Sequence, residues 1–418
     1  MNWPTVDLGE IALSVRNGIF VRRPSDEPGG SRILRISAVR DGHVNLGDTR
    51  CVTGLGADQV EQFSIDPGDL LVTRYNGSRH LVGTSGIVPR HDGHVIHPDK
   101  LIRVVVDRNR VDPRFVNYQF QSPQVRAHLE PRIRTTAGQS GIAGADIRSV
   151  PIVLPPLDEQ VRIVEFLEDQ LSRLDAAASG LLKARRRIDL LERRALDSHF
   201  AKGKLVPLTD LVEGISAGKS FGTSNSPAVE DDWGIIKVSA MTWGRFNPNE
   251  NKAVSGDRVD PRFEIREGDL LVSRANTADY VGASVLVGPV RPKLLLSDKS
   301  LRLTPKAGVN PEWLWRALQA PSARRQITAS ATGTKDSMRN ISQVALLQVL
   351  VPKVGEAMQS KALNAFAAVA MATNRLCTEI DSCRVRLGNL RRSLLVNAFS
   401  GRLTGGPDLS SPQNKVGA

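Results

Sequence analysis

A chain of 418 residues with 40% apolar residues is long enough for roughly two to four domains with ordinary cores. Its 56 Lys+Arg against 44 Asp+Glu leave a net charge of +12, spread along the sequence, which favours a broad face for nucleic acid. Aromatic residues are only 5%, which argues against the base-stacking platforms of single-strand binders. The three cysteines, Cys51, Cys377 and Cys383, are unpatterned and exclude a disulfide framework. There is no charged-then-apolar leader, and no apolar run reaches the ~18 residues of a membrane span. The cytoplasm is the expected compartment.

Taken in chain order, residues 1–155 are rich in Gly, Pro, Val and Ile. Short apolar runs such as Leu34-Arg35-Ile36-Ser37, Leu70-Leu71-Val72 and Leu101-Ile102-Arg103-Val104-Val105-Val106 read as strands of an irregular sheet. A helix is expected from Pro113, since proline suits the first helical turn. Pro155-Pro156 then ends the last strand and opens a long helix to about Phe200, within a segment 156–202. Val164, Leu167, Leu171, Leu174, Ala178, Leu181 and Ile188 alternate steps of three and four, interrupted by Arg185, as in a coiled-coil seam. Gly203 stops the helix.

Residues 203–353 return to the first pattern, with strands at Gly234-Ile235-Ile236-Lys237-Val238 and Leu270-Leu271-Val272 and a helix from Pro311. A second long helix fills 354–402. Its seam runs through Phe366, Val369, Thr373, Leu376, Ile380, Cys383, Leu387, Leu390 and Leu394, and Gly401 stops it. A helix of about 44 residues would be roughly 65 Å long, and the simplest way to bury both seams is against each other, antiparallel. The tail, 403–418, is expected to be disordered. The fold class is α+β: two tandem domains separated by long helices that form an antiparallel coiled coil.

The chain repeats itself. Ile65-Asp66-Pro67-Gly68-Asp69-Leu70-Leu71-Val72-Thr73-Arg74 returns 200 residues later as Ile265-Arg266-Glu267-Gly268-Asp269-Leu270-Leu271-Val272-Ser273-Arg274. Val82-Gly83-Thr84-Ser85 returns as Val281-Gly282-Ala283-Ser284, and Asp99-Lys100-Leu101-Ile102-Arg103 as Asp298-Lys299-Ser300-Leu301-Arg302. Solenoid repeats are far shorter, about 20–50 residues, so this is duplication of a whole domain with its connector. Two similar domains suit a target with two similar parts.

These residues resemble a family. Pro151-Ile152-Val153-Leu154-Pro155-Pro156-Leu157-Asp158-Glu159-Gln160, followed by Arg162-Ile163-Val164, is similar to the start of the first spacer helix in specificity subunits of type I restriction–modification systems. Ala398-Phe399-Ser400-Gly401-Arg402-Leu403 resembles the end of their second spacer helix. Gly-Asp-Leu-Leu-Val, at 68–72 and 268–272, resembles the mark inside each of their target-recognition domains. The resemblance spans the chain except its tail. One departure is that the second copy of the helix-start signature reads Val351-Pro352-Lys353-Val354-Gly355-Glu356-Ala357.

The resemblance implies that 1–155 and 203–353 are target-recognition domains, each reading half of a split, asymmetric site in double-stranded DNA. It implies that the helices set the spacing and dock two modification subunits, which bind S-adenosylmethionine and methylate adenine. ATP and Mg are expected on separate restriction (motor-nuclease) subunits. The chain itself would bind no cofactor and be non-catalytic.

Motifs for independent chemistry fail on inspection. Gly214-Ile215-Ser216-Ala217-Gly218-Lys219-Ser220 has three residues between its glycines where a Walker A loop has four. His91, His94 and His97 lie in a Gly/Pro-containing turn without nearby cysteine, and the second copy has Arg291-Pro292-Lys293-Leu294-Leu295-Leu296 there. Neither Asn247-Pro248 nor Asn310-Pro311 continues into an adenine-methyltransferase motif. The rival readings are a stand-alone nuclease or hydrolase with a duplicated domain, and a regulatory DNA-binding protein without a methyltransferase partner.

The positive candidates are polar residues after the repeated strands. Arg74 and Arg274 are each a phosphate or guanine contact, or an ordinary strand end. The loops beyond them differ: Tyr75, Asn76, Ser78, Arg79 and His80 against Asn276 and Thr277. A shared strand carrying a changed polar loop is what a reader of two sequences requires. Lys100 and Lys299 are DNA contacts or local ion pairs. Lys219 and Ser220 form a basic loop able to touch phosphate, or a solvated turn. Gln139, Ser140 and Lys335 precede the last strand of each copy. For partner docking the candidates are Glu159 and Gln160 at the helix start and the basic run Arg185, Arg186 and Arg187, which is otherwise a solvated helix face.

Overall fold

The computed structural model describes residues 3–401, apart from 23, 28, 137, 224–225, 230–231, 243, 255–258 and 336–337; the tail 403–418 lies outside the described residues. The chain divides into two compact units: residues up to 181 together with those from 382 onward, and residues 182–381. Each long helix, Leu157–Phe200 and Glu356–Ala398, contributes a stretch to each unit.

In the first unit a six-stranded sheet runs in the order Ala12–Asn17, Leu101–Val106, Leu70–Thr73, Ser85–Ile87, Gly42–Val44, Val39–Arg40. A three-stranded sheet orders Val95–Ile96, Ser31–Leu34 and Thr49–Val52, and a three-stranded ribbon orders Arg134–Thr136, Gln139–Gly141 and Tyr75–Asn76. Thr5–Asp7 and Pro151–Val153 pair antiparallel and bring the two ends of the unit's sheet-rich part together.

The second unit repeats the scheme. Its main sheet is shorter: Val212–Ala217, Ser300–Pro305, Leu270–Ser273, Ser284–Leu286. Asn251–Ala253, Gly234–Ile236 and Leu294–Leu295 form the small sheet, and Ala275–Asn276, Met338–Asn340 and Thr332–Lys335 the ribbon. Lys204–Pro207 pairs with Leu350–Lys353.

The repeated Gly-Asp-Leu-Leu-Val run has a local explanation. Gly68 and Gly268 both take φ of +87°, a turn conformation that side chains disfavour. Asp69 and Asp269 then accept the amides of Asp66 and Arg266 at 2.7 and 2.9 Å, and pair with Arg103 and Arg302 of the adjacent strand at 2.5 and 3.1 Å. The strands Leu70–Thr73 and Leu270–Ser273 are buried throughout, as central strands covered on both faces must be. Helices do start at Pro113 and Pro311, capped by Asp112 and Asn310, whose side chains accept amides of the first turn.

The long helices meet within each unit. In the first, Asp175 pairs with Arg391 at 2.8 Å, and Phe399 meets Phe115 edge-on with ring centroids 5.4 Å apart. In the second, Arg185 reaches Asp381 at 4.0 Å, Thr373 donates to Glu192, and Phe200 meets Phe366 edge-on at 5.5 Å. Within this second unit residue numbers fall along one helix as they rise along the other, so the two stretches there run antiparallel. The expected seam needs one correction: Leu376 and Leu390 are 46% and 53% exposed, whereas Cys377 and Arg391 are more enclosed. A straight helix drifts by about 20° per heptad against a strict 3.5 repeat, which rotates part of a sequence-defined seam outward.

A second correction concerns the helix starts. Gln160 is 0% exposed. Its amide accepts from Asp112 N at 2.9 Å and donates to the carbonyls of Arg110 and Pro155 at 3.1 and 2.8 Å. Gln359 makes the same set with Asn310 N at 2.7 Å and the carbonyls of Gly308 and Val354 at 2.9 and 3.0 Å. The second signature is therefore intact at its glutamine, two residues beyond the departure read from sequence.

Candidate nucleic-acid interface

At the end of each buried strand the chain is clamped. Arg74 N donates to Lys100 O at 2.8 Å and Arg74 O accepts from Ile142 N at 3.0 Å. Arg274 N donates to Lys299 O at 2.8 Å and Arg274 O accepts from Ile341 N at 2.9 Å. The repeated Asp-Lys pair thus anchors the arginine through its backbone. Beyond this point the copies part. The Arg74 guanidinium lies over the Tyr75 ring, 4.7 Å from its centroid, and donates to Asp99 O at 3.3 Å. Arg274 is exposed and is followed by a buried alanine, Ala275.

The ribbons gather candidates that are far apart in sequence. Ser140 pairs with Asn76 and Gly141 with Tyr75, so the 74–80 loop and Gln139 belong to one surface. Ala275 and Asn276 pair with Asn340 and Arg339. Lys335 lies on the neighbouring strand Thr332–Lys335, but its side chain, like residues 336–337, lies outside the described residues.

Several of these residues serve the fold. Asn76 accepts from Ser78 N at 3.0 Å and Asn276 from Thr277 N at 2.8 Å, which shapes each loop. Ser140 is buried and shares a 2.9 Å hydrogen bond with Thr135, so its hydroxyl is turned inward. Arg79 donates to the Glu130 carboxylate and carbonyl, both at 2.8 Å, and this arginine, with Arg126 as second partner, holds Glu130 below the usual carboxylate range. His80 and Gln139 are exposed. So is Arg134, a cation on the first ribbon that sequence reading passed over because nothing in its motif repeats.

Lys219 and Ser220 belong elsewhere. Lys219 lies 6.0 Å from the Phe221 ring centroid, and Ser220 lines a cleft with Lys299. The glycine before them has a structural reason: a Cβ on Gly218 would fall 2.2 Å from Leu296 O, and one on Gly18 would fall 2.2 Å from His97 O. Both copies need glycine where this loop passes against the backbone of residues 97–98 or 296–297.

Among the docking candidates, Gln160 is spent inside the first unit, as described. Glu159 is half-buried, 3.6 Å from Arg162. Arg185, Arg186 and Arg187 are exposed, and Arg185 also approaches Asp189 at 3.6 Å.

The three histidines find separate partners: His91 with Gly93 O at 3.2 Å, His94 with Ser64 Oγ at 3.0 Å, and His97 with Phe63 O at 2.7 Å. Burial pushes the His97 imidazole down to about 4, against the pull of its carbonyl partner. Among the described residues no group of three His, Cys, Asp or Glu is placed to hold a metal, and no helix is long and apolar enough to cross a membrane.

Comparison with known proteins places this architecture. Residues 1–183 match the family model of the type I restriction modification DNA specificity domain. A 196-residue stretch is 35% identical to the type I restriction enzyme EcoKI specificity subunit of Escherichia coli (strain K12), covering 47% of this chain and 41% of that protein. Over 206 residues the chain is 28% identical to the StySPI specificity subunit of Salmonella potsdam, covering 49% and 44%. The chain thus spans less than half the length of these curated relatives in the matched regions. A solved chain from work on complex assembly and conformational transition of the type I R-M system superposes with a TM-score of 0.73 at 20% identity, covering 96% and 98%. The HsdS subunit from Thermoanaerobacter tengcongensis superposes with a TM-score of 0.51 at 18% identity, covering 96% and 97%. At these identities the structures establish the fold.

The duplicated α+β frame with its two long helices shares its fold with these solved chains, and its first copy carries the specificity-domain match. Over about half its length the chain is similar to type I restriction enzyme specificity subunits, and its first 183 residues carry the specificity-domain match.

Proposed function

We propose that this chain reads a split sequence in double-stranded DNA for a type I restriction–modification complex, one half-site per unit, with residues 1–155 and 203–353 as the recognition domains. The observation that carries this reading is the repeated clamp. The same glycine turn, buried strand and doubly bonded arginine present unlike loops, 75–80 and 275–280. Asn, Arg and Gln side chains on such loops can make the paired hydrogen bonds that distinguish bases in the major groove. The long helices set the distance between half-sites and dock two modification subunits, and restriction subunits join that assembly. S-adenosylmethionine, ATP and Mg belong to the partners, which act with this chain on cytoplasmic DNA; the chain alone turns nothing over.

The test is to map methylated adenines genome-wide with and without the gene, then with residues 203–353 replaced by the matching segment of another family member. Methylation of one asymmetric split sequence should vanish without the gene, and the replacement should change one half only. Change in both halves, or in neither, would break the assignment of one unit to one half.

A further inference from the structure

Each unit carries a cleft beside its small sheet, and the two clefts are built from equivalent positions. The first has a volume of about 590 Å³ and is lined in part by Phe20, Arg35, Arg50 and Lys100. The second, of about 470 Å³, is lined in part by Phe221, Lys237, Lys252 and Lys299. The equivalence rests on backbone geometry. Arg50 stands opposite Ile33 as Lys252 stands opposite Ile235. Arg35 N donates to Asp48 O at 3.0 Å as Lys237 N donates to Glu250 O at 2.9 Å. The carbonyls of Lys100 and Lys299 each accept the amide of the clamped arginine. One acid lines each cleft, Asp99 or Asp298, against at least three cations.

Two features say what such a cleft holds. First, the charge persists in both copies while the neighbouring loops diverge. Contacts to bases should differ between half-sites, whereas backbone phosphates are the same in every sequence. Arginine has also become lysine at two of the three positions. A phosphate accepts that exchange as a point charge, but the two-pronged reading of guanine does not. Second, in the first unit an anion already sits against two of these cations. One carboxylate oxygen of Asp26, a residue whose side chain is 68% exposed, accepts from Arg35 and, at 3.0 Å, from Arg50. Arg35 and then Arg50 hold this carboxyl below the usual range.

We infer that the two clefts are the sequence-independent phosphate grips of the recognition units, and that Asp26 stands in for a DNA phosphate on Arg35 and Arg50 until DNA displaces it. This rests on the DNA-reading function proposed above and adds residues Arg35, Arg50, Lys237 and Lys252 to it.

The experiment uses the full chain purified with its modification subunits, a duplex bearing the methylome-mapped sequence, and a shuffled duplex of equal length. Arg50→Gln and Lys252→Gln should each weaken binding to both duplexes by the same severalfold factor. Each should reduce the slope of log affinity against log salt by about 0.9, the release expected for one lost phosphate contact. Arg50→Lys and Lys252→Arg should restore both quantities, which separates lost charge from lost folding. Asp26→Asn should raise affinity for both duplexes. Loss confined to the mapped duplex, or an altered methylated sequence, would assign the clefts to base reading and overturn the inference; so would unchanged binding in both neutralised variants. Weaker binding by Asp26→Asn would overturn the stand-in role. If the unaltered complex binds neither duplex in a salt-dependent way, the DNA-reading function itself fails.

Discussion

After the buried strand Leu70–Thr73 comes Arg74-Tyr75-Asn76-Gly77-Ser78-Arg79-His80; after Leu270–Ser273 comes Arg274-Ala275-Asn276-Thr277-Ala278-Asp279-Tyr280. Up to the arginine the two units share turn geometry, strand burial and both backbone clamps. Past it they share the asparagine that closes the loop and little else. In the first unit the cations are tied down, Arg74 by Tyr75 and Arg79 by Glu130. In the second Arg274 stands free of the strand and Tyr280 is exposed. The difference separates what a unit needs in order to fold from what it is at liberty to vary.

The largest effect should come from the helices, which belong to both copies. Inserting four residues near Ala176-Ala177-Ala178, with a matching insertion near Ala370-Met371-Ala372, adds about one turn, or ~6 Å, and keeps the packing face nearly in phase. With a base-pair step of ~3.4 Å, the unread gap in the methylated sequence should lengthen by one or two base pairs while both half-sites stay unchanged. A functional double insertion with the original gap would show that the helices do not set the spacing.

Next come the glutamines at the helix starts. Gln160→Ala and Gln359→Ala each remove three hydrogen bonds from a closed site. Each should cost about 2–4 kcal/mol of stability, because buried partners are left unsatisfied. Urea unfolding should give similar losses for the two variants. A large loss in one copy only would deny that the copies share this joint.

That joint also shows where sequence reading stops. The duplication, the two helices and the α+β class could be read because glycine turns, buried strands and seams leave periodic or repeated marks. Gln359 was hidden because Val351–Ala357 no longer resembles Leu154–Gln160 in side chains, although the backbone puts the amide in the same place. Leu376 and Leu390 matched the seam rhythm yet face outward, since helical drift is a property of the packed pair. Of the cleft cations, Arg35 and Lys237 stand in apolar runs and Lys100 and Lys299 in the repeated Asp-Lys pair, but Arg50 and Lys252 carry no mark in the sequence, and the convergence of all of them depends on how a small sheet meets a distant loop. For the same reason Ser140 and Gln160 looked available and are spent internally.

His97 offers a contrast between the copies at one buried point. Its amide donates to Phe63 O at 3.1 Å, and in the second unit Leu296 N donates to Phe263 O at 2.8 Å. With a folded value of about 4 against 6.5 for a free imidazole, the folded state holds the ring neutral. Its stabilising contribution is present above pH 6.5 and is lost as pH falls through 4, amounting to about 3 kcal/mol over that window. Hydrogen exchange should show segments of the first unit loosening between pH 6.5 and 4 while the second stays protected. His97→Leu, which copies the second unit, should remove the difference. Equal acid loosening of both units would leave His97 without this role.

The smallest effect tests the loops themselves. Arg74→Ala and Arg274→Ala should each weaken DNA binding by about 1–3 kcal/mol if the guanidinium meets a base, with relaxed methylation at one half-site only. If it meets phosphate, affinity should drop for mapped and shuffled duplexes alike and the salt slope should shrink by about one. The two variants should not behave identically. Arg74 is already stacked on Tyr75 and bonded to Asp99 O, so it is preorganised and its loss also frees Tyr75. Arg274 has only its backbone fixed and must be ordered by the DNA, which lowers its net worth by the entropy of a long side chain. Tyr75→Ala should therefore bring the effect of losing Arg74 down toward that of losing Arg274. If Arg74→Ala costs as much in the Tyr75→Ala background as alone, the stacking contributes nothing to recognition, and the two loops differ in sequence without differing in how they hold their arginine.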